Sequence, residues 1–250
     1  MNVLIGCESS GRTRESFRRR GHNAWSCDLL PAEDNSPYHL QCDVRLLLTP
    51  FYGWDLGIFH PDCTYLTNSS EWAYGDGPYH QKVLPETLVG TARREARERA
   101  IEFVQCLWNA PIEHIAIENP VGVLSSVFMP PTQYIQPNEY GDDASKKTCL
   151  WIKNLPPLQP TCLVAPRITA DGKKRWGNQT DSGQNKLTPR PNRWKERSRT
   201  YNGWSEAFAD QWSLTCPPPP SIVTVNTPPT VRLLSWLLLL YLPRHTATPP

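Results

Sequence analysis

The sequence of 250 residues lacks a strong excess of charge and the spacings typical of metal and secretion signals. Its formal net charge is only +2, so the overall charge does not indicate nucleic-acid binding. Its eight cysteines include no Cys-x-x-Cys pair, which excludes zinc-knuckle spacing, and we expect no metal site. The opening residues, MNVLIGCESS, lack a basic region followed by a long apolar core, so we expect a cytoplasmic protein with reduced thiols.

Long apolar runs are also missing. The apolar piece Leu233–Leu242 has ten residues, whereas a membrane-spanning helix needs about twenty. It belongs to a proline-rich stretch, 213–250, that contains no acidic residue. We interpret 213–250 as a poorly ordered tail without stable membrane insertion, and leave open a short packed helix or a membrane-surface anchor.

Short aliphatic runs alternate with helix-like segments over residues 1–160. The run NVLIGC leads into a turn from Gly6 to Gly11 and a helix-compatible stretch, and a second run ends at Asp28. Further strand-like runs are QCDVRLLL, WDLGIF, IEHIAIENP and KKTCLWI, and a helix is predicted over 91–109. This alternation predicts an α/β fold, with a doubly wound, mostly parallel sheet and helices on both faces.

Chemically useful side chains follow the predicted strands where each strand ends. In such sheets ligands bind at the carboxyl ends of the strands. The glycine-containing turn, with Asp28 about twenty residues further on, fits a nucleotide-type cofactor, although it is not the GxGxxG motif and a ligand-free turn stays possible. The residues concerned are Gly6, Cys7, Glu8, Gly11, Asp28, Asp43, Cys63, Glu118 and Asn119.

The thiol of Cys63 and the carboxyl of Glu118 are the candidates for chemistry. Cys63 stands in HPDCTYLTNSS, after a buried strand and among hydroxyl side chains, which is a poor core environment. It is either an inert structural thiol or a nucleophile held toward a substrate. Glu118 leaves the buried run HIAI directly, and is either a capping or solvent-facing acid or a second active-site group.

The ordered pieces VLIGCESSG, CD at Asp28, CDV, WDLGIFHPDC and IAIENP resemble the DNA (cytosine-5)-methyltransferases. The resemblance covers about residues 1–125, continues weakly to about 160, and is closest to short methyltransferase-like proteins of phage genomes. It implies a Rossmann-like methyltransferase fold, S-adenosyl-L-methionine as cofactor and DNA as partner, with the target base flipped out of a duplex or taken from a single strand.

The resemblance also implies roles for individual residues. The turn with Gly6, Cys7, Glu8 and Gly11 would hold the methionine part of the cofactor, Asp28 its ribose and Asp43 its adenine. Cys63 would add to carbon 6 of cytosine so that carbon 5 accepts the methyl group. Glu118, kept neutral by desolvation, would bind ring nitrogen 3, and Asn119 would position the loop.

Two departures from the family pattern stand out. Asp62 precedes Cys63 where the family has proline, and its charge raises the pKa of a neighbouring thiol unless it points away. The family has a large recognition domain, whereas this chain offers only about fifty residues in its place. We assign residues 161–212 as a small basic segment that returns to the α/β domain of residues 1–160. Phosphate contacts would then dominate DNA binding.

The basic segment carries the local charge. Residues 165–200 contain ten lysines and arginines and three acids, with two tryptophans interleaved. This pattern predicts a phosphate-facing surface, with a solvated basic loop as the alternative. The nucleic-acid-binding candidates are Lys173, Lys174, Arg175, Lys186, Arg190 and Arg193.

Two other functions fit the same residues. The same cysteine addition could modify carbon 5 of a free pyrimidine nucleotide, because the recognition region is small. Alternatively, the chain could be a catalytically degenerate protein that binds DNA or a methyltransferase, as the departure at Asp62 suggests.

Overall fold

A computed structural model describes residues 1–188 and 193–213 of the chain. Arg190 and nearly all of the predicted tail, including Leu233–Leu242, therefore lie outside the described residues. Within the described part, no helix is long and apolar enough to cross a membrane.

Seven strands form one sheet and two short strands form a separate hairpin. The strands are β1 (Asn2–Gly6), β2 (Asn23–Asp28), β3 (His39–Gln41), β4 (Leu56–Phe59), β5 (His114–Pro120), β6 (Gln133–Ile135), β7 (Thr148–Lys153), β8 (Arg167–Ile168) and β9 (Lys174–Arg175). The sheet order is β3-β2-β1-β4-β5-β7-β6, and β8 pairs with β9. Strands β3, β2, β1, β4 and β5 are parallel, whereas β7 is antiparallel to both its neighbours. The strand order reverses between β1 and β4, which is where ligands bind in sheets of this kind.

Helices cover both faces of the sheet. They are α1 (Arg12–Arg19), α2 (Gly90–Trp108), α3 (Leu124–Val127), α4 (Arg193–Ser198) and α5 (Asn202–Ser213). Alternate residues of β1 enter opposite cores, since Ile5 packs with α1 and α5 whereas Leu4 packs with α2. The predicted doubly wound α/β fold is thereby confirmed.

The long helix α2 occupies the predicted segment almost residue for residue. Val104 and Leu107 of its predicted apolar stripe are fully buried against the sheet. The prediction for QCDVRLLL was only partly right, because the strand β3 ends at Gln41 and Val44–Leu47 form a 3₁₀ helix. The Asp43 side chain accepts a hydrogen bond from the Arg45 amide and so starts that helix.

The last described helix, α5, packs beside α1. Phe208 and Trp212 stack at 4.8 Å within α5 and are fully buried in the core beneath α1. Arg20, just after α1, pairs with Glu206 at 2.8 Å and with Asp210 at 2.6 Å. These contacts fix the end of the 161–212 segment on the body of the sheet domain.

Candidate active site

The carboxyl ends of β1, β2, β4 and β5 open onto one cleft of about 1880 Å³. Because parallel strands present these ends at one edge of the sheet, side chains distant in sequence meet there. Of the residues singled out in the sequence, the cleft is lined by Cys7, Glu8, Asp28, Asp43, Cys63, Glu118, Asn119 and Lys186.

The loop that carries Cys63 is a tight turn. The Cys63 carbonyl accepts hydrogen bonds from the amides of Leu66 (3.0 Å) and Thr67 (3.1 Å). The Asp62 carboxylate accepts from the amide (3.0 Å) and hydroxyl (2.7 Å) of Thr64. The thiol itself is half-buried at the cleft wall.

The residues after β5 hold this loop from two sides. Asn119 Nδ2 donates to the Pro61 carbonyl at 2.8 Å, and the Val123 amide donates to the Leu66 carbonyl at 2.9 Å. Between them, Gly122 approaches the Leu66 backbone so closely that any Cβ at this position would collide with it. The loop of Cys63 and the end of β5 are thus joined into one unit.

Glu118 has an immediate partner that the sequence analysis missed. His60 Nδ1 donates to Glu118 Oε2 at 3.1 Å, and both side chains are buried. The sheet register explains the contact, because Phe59 pairs with Ile117 and the next residue of each strand lies alongside. The sequence signal for His60 was its position, because it is a polar residue directly after β4, just as Glu118 directly follows HIAI.

The expectation that desolvation keeps Glu118 neutral is wrong for the free protein. Burial by itself raises the pKa of the carboxyl, but the ammonium of Lys146 and the hydrogen bond from His60 outweigh it and lower the pKa below its ordinary value. Glu118 is therefore a buried carboxylate at neutral pH.

The thiol is shifted in the opposite direction. Burial, followed by the charge of Asp62, raises the pKa of Cys63, and Lys146 offsets only part of that rise. The Asp62 carboxylate is close enough to the Cys63 thiol to raise its pKa. The free protein thus holds a thiol and a carboxylate at the two predicted catalytic positions.

The cofactor candidates lie at the ends of β1 and β2 and just beyond β3. Glu8 Oε1 accepts from the amide of Thr13 (3.0 Å), in the first turn of α1, and from the hydroxyl of Ser10 (2.9 Å). Asp28 Oδ1 accepts from the Leu30 amide at 2.9 Å. The Asp43 carboxylate is bound by Arg45, whose Nε lies 3.0 Å from either oxygen.

Neither predicted glycine lines the cleft. A Cβ on Gly6 would collide with the ring of Phe59, so this glycine is needed for packing between β1 and β4. Gly11 has φ +73° and begins α1, where a Cβ would collide with Arg14. The wall of the cleft at this turn is formed by Cys7, Glu8 and the two serines that follow.

The predicted basic residues are dispersed. Lys173 and the strand β9, Lys174–Arg175, lie on the β8–β9 hairpin and do not line the cleft, and Lys173 pairs with Asp171 at 2.7 Å. Arg193 starts α4 and donates to the Leu187 carbonyl at 2.8 Å. Only Lys186 of the described candidates lines the cleft. Seven cations outside the candidate list line it as well: Arg45, Arg93, Arg99, Lys146, Lys147, Arg197 and Arg199.

Charge is therefore divided along the cleft. The ends of β1 and β2 and the loops after them contribute acids, whereas the residues before β7 contribute Lys146 and Lys147, and Lys146 acts on Glu118. The acids of the first group are Glu8, Asp28, Glu33 and Asp43, of which Asp43 pairs with Arg45 and Glu33 with Arg199. The other cations that line the cleft are Arg93, Arg99, Lys146, Lys147, Lys186 and Arg197, and the other acids are Asp62, Glu118 and Glu196. In the parts of the chain that the structure describes, no cluster of His, Cys, Asp and Glu could hold a metal ion.

Besides Arg93 Nε on α2, four buried polar atoms of cleft-lining residues find no hydrogen-bond partner among the described residues. They are Glu8 Oε2, His60 Nε2, Glu118 Oε1 and Asn119 Oδ1. Buried polar groups are nearly always paired in native proteins. Their concentration at one edge of the sheet indicates a site where a ligand completes the hydrogen bonding.

Comparisons with known proteins give little similarity. No protein-family model matches the chain, and no curated protein matches it. Among solved structures, an E. coli protein encoded within a prophage and described as a proposed DNA modification methyltransferase is similar, with 14% sequence identity and a TM-score of 0.42. The similarity covers 66% of this chain and 52% of that chain, so this chain spans about half the length of that structure.

Proposed function

We propose that the protein transfers a methyl group from S-adenosyl-L-methionine to carbon 5 of cytosine in DNA, through a covalent adduct of Cys63 at carbon 6. The observation that carries the proposal is the meeting of Cys63, Glu118 and Asn119 with the acids of β1 and β2 in one cleft. The motifs of the sequence add the reaction class, because their order resembles the DNA (cytosine-5)-methyltransferases.

The acidic half of the cleft fits the proposed cofactor. S-adenosyl-L-methionine carries a sulfonium, an ammonium and a ribose, and supplies an electrophilic methyl group when bound. The unpaired and buried Glu8 Oε2 offers an acceptor for a cationic group, and Asp28 offers a carboxylate for ribose hydroxyls. Asp43 is engaged by Arg45, so a contact with adenine would have to share or displace that ion pair.

Cys63 would begin the reaction as a thiolate. Addition of its sulfur to carbon 6 interrupts the aromatic ring and makes carbon 5 nucleophilic, which cytosine alone is not. Asn119 and Val123 hold the loop, so the sulfur keeps its place as the ring approaches. Loss of the carbon-5 proton after methyl transfer would then expel the cysteine.

Glu118 would receive the proton that Cys63 must lose. A carboxylate cannot donate to ring nitrogen 3, whereas a carboxylic acid can stabilise the charge that develops there. Transfer of one proton from the thiol to the carboxylate converts both groups to their active forms without exchange with solvent. The unpaired Oε1 leaves Glu118 an oxygen for the base while His60 holds the other.

The basic half of the cleft fits a polyanion. A stacked base in a duplex is out of reach of a buried thiol, so the target cytosine has to be flipped or come from a single strand. Lys146, Lys147 and Lys186 line the cleft where phosphates would pass. The small segment that carries Lys186 favours contacts with the backbone over reading of base edges.

Tritium transfer from methyl-labelled cofactor into DNA tests the proposal, with nucleoside mass spectrometry to identify the product. We expect 5-methylcytosine with the wild type and a loss of at least about 100-fold with Cys63→Ser. Cys106→Ser is the matched control, because Cys106 is exposed on α2, and it should keep full activity. Equal incorporation by wild type and Cys63→Ser would remove Cys63 from the mechanism.

A second candidate, a catalytically degenerate DNA-binding protein, is favoured by the raised pKa of the Cys63 thiol, to which burial and Asp62 contribute. It predicts DNA binding without any modified nucleoside in the same assay. A product formed on a mononucleotide, and none on DNA, would instead support modification of the free nucleotide.

A further inference from the structure

Two cysteines outside the proposed chemistry are in direct contact. Cys27 Sγ and Cys42 Sγ lie 3.7 Å apart, and Cys27 Sγ also lies 3.2 Å from the Cys42 carbonyl. Cys27 is buried within β2, whereas Cys42 directly follows β3 and is half-buried. Both side chains pack on the same face of the sheet, beside α2.

The pair sits within the acidic half of the cleft. Cys27 immediately precedes Asp28 and Cys42 immediately precedes Asp43, and all four residues line the cleft. The parallel register pairs Cys27 with Leu40 and Asp28 with Gln41, so Cys42 follows directly after the last paired residue of β3. Asp28 and Asp43 are each joined to one of these cysteines by a peptide bond, so a displacement of either cysteine also displaces the carboxylate next to it.

We propose that Cys27 and Cys42 form an oxidisable dithiol whose conversion to a disulfide weakens cofactor binding at the neighbouring acids. The disulfide is independent of the reaction that the protein performs, whereas its consequence for the cofactor rests on the proposed function. The oxidant is a hydroperoxide, which reaches Cys42 from the cleft.

The chemistry balances with one hydrogen peroxide. The Cys42 thiolate attacks one peroxide oxygen and breaks the O–O bond, which leaves a sulfenic acid on Cys42 and releases water after protonation. The sulfur of Cys27 then attacks the Cys42 sulfur and displaces the hydroxyl as a second water. Two thiols are oxidised to one disulfide, and the peroxide is reduced to two water molecules.

The order of the two steps follows from burial. Burial and the nearby Cys42 raise the pKa of Cys27, so its thiol is a poor first nucleophile toward the oxidant. Cys42 faces the cleft and is the accessible sulfur. The 3.7 Å contact then lets Cys27 capture the sulfenic acid before a second oxidation.

Closing the bond must rearrange the two cysteine side chains at the ends of β2 and β3. Sulfurs in contact at 3.7 Å have to approach to about 2.05 Å, with side-chain rotation and loss of the contact to the Cys42 carbonyl. Asp28 and Asp43 follow these atoms directly and would shift with them. A ligand held by Asp28 loses affinity when that carboxylate moves away from its partner.

Oxidation of the full chain with hydrogen peroxide, followed by blocking of the remaining thiols, tests the proposal. Trypsin leaves both cysteines on one peptide, 21–45, which should be lighter by two hydrogens and resist alkylation until it is reduced. Calorimetry should give a dissociation constant for S-adenosyl-L-methionine that rises at least about tenfold on oxidation and returns with dithiothreitol.

Two serine variants provide the comparison. Cys42→Ser cannot form the bond and should bind the cofactor equally before and after peroxide. Cys106→Ser, which removes an exposed thiol on α2, should respond as the wild type does. Absence of the oxidised 21–45 peptide would overturn the proposal, and so would its presence with unchanged affinity. Failure of the reduced protein to bind the cofactor would instead overturn the proposed function, while the mapped bond would still report the dithiol.

Discussion

The two halves of the cleft hold their polar side chains in different ways. At the ends of β1 and β2 and beyond β3, Glu8 and Asp43 are fixed by near neighbours, Thr13 and Arg45, although Glu33 pairs with the distant Arg199. At the ends of β4 and β5 the contacts join segments far apart in sequence, such as Asn119 with Pro61. The difference suggests that the first half can bind a ligand by itself, whereas the second half works only as an assembled unit.

Replacing Glu118 tests this division with the largest expected effect. The Glu118→Gln variant cannot take the proton of Cys63, so we expect kcat to fall about 10²- to 10³-fold while the dissociation constant of the cofactor stays within about twofold. Single-turnover kinetics and calorimetry measure the two quantities. Glu113→Gln, an exposed glutamate just before β5, is the control. Equal losses of activity and cofactor affinity would contradict the separation of the halves.

Replacing Asp28 should show the converse pattern. Asp28→Ala removes a charged hydrogen-bond acceptor from the acidic half of the cleft. We therefore expect the dissociation constant of S-adenosyl-L-methionine to rise about 10- to 100-fold. At saturating cofactor the rate should return to near the wild-type value. Asp171→Ala, on the exposed hairpin, should change neither quantity. A rate that stays low at saturation would place Asp28 in the chemical step.

Replacing Asp62 sharpens the account of the thiol. Its charge is the second cause of the raised pKa of Cys63 after burial, so Asp62→Asn should lower that pKa and keep the contacts with Thr64. We expect alkylation of Cys63 by iodoacetamide at neutral pH to become about two- to tenfold faster. Peptide mapping identifies the residue, and exposed Cys106 serves as an internal reference. An unchanged rate at Cys63 would exclude the charge of Asp62 as a cause of the raised pKa.

The pH profile should show the smallest effect. In the proposed reaction the active state has Cys63 deprotonated and Glu118 protonated. Activity should then fall below the pKa of Glu118, where the thiolate is lost, and above the pKa of Cys63, where the carboxylic acid is lost. The pKa of Glu118 is lowered from 4.5 and the pKa of Cys63 is raised from 9.0. The two pH ranges in which activity falls therefore lie below 4.5 and above 9.0. We expect kcat/KM to vary less than about twofold over the neutral range. A limb near neutral pH would contradict the direct exchange of a proton between the two side chains.

The sequence predicted those features that depend on neighbouring residues. Aliphatic runs located β1, β2, β4 and β5, and the periodicity of α2 located its buried stripe. Strand ends then placed Asp28 and Cys63 at the correct edge of the sheet. Local pattern fails where a contact depends on sheet register, as for His60 beside Glu118, or on the packing of a distant ring, as for Gly6 against Phe59.

The ionisation of Glu118 shows the same limit. Burial could be inferred from HIAI, and burial alone raises the pKa of a carboxyl. The outcome was reversed by Lys146, which is distant in sequence and faces Glu118 only because β7 lies antiparallel to β5. A charge balance of this kind follows from the arrangement of strands and cannot be obtained from either segment alone.

The attachment of the Cys63 loop to the residues that follow β5 has a further consequence. With Pro61 and Leu66 both hydrogen-bonded to that segment, the Cys63 loop is tied to the strand end that carries Glu118. Under the proposed function, the nucleotide would then have to approach the sulfur. A substrate whose base cannot flip into the cleft would not react, because the attached loop keeps the thiol in place.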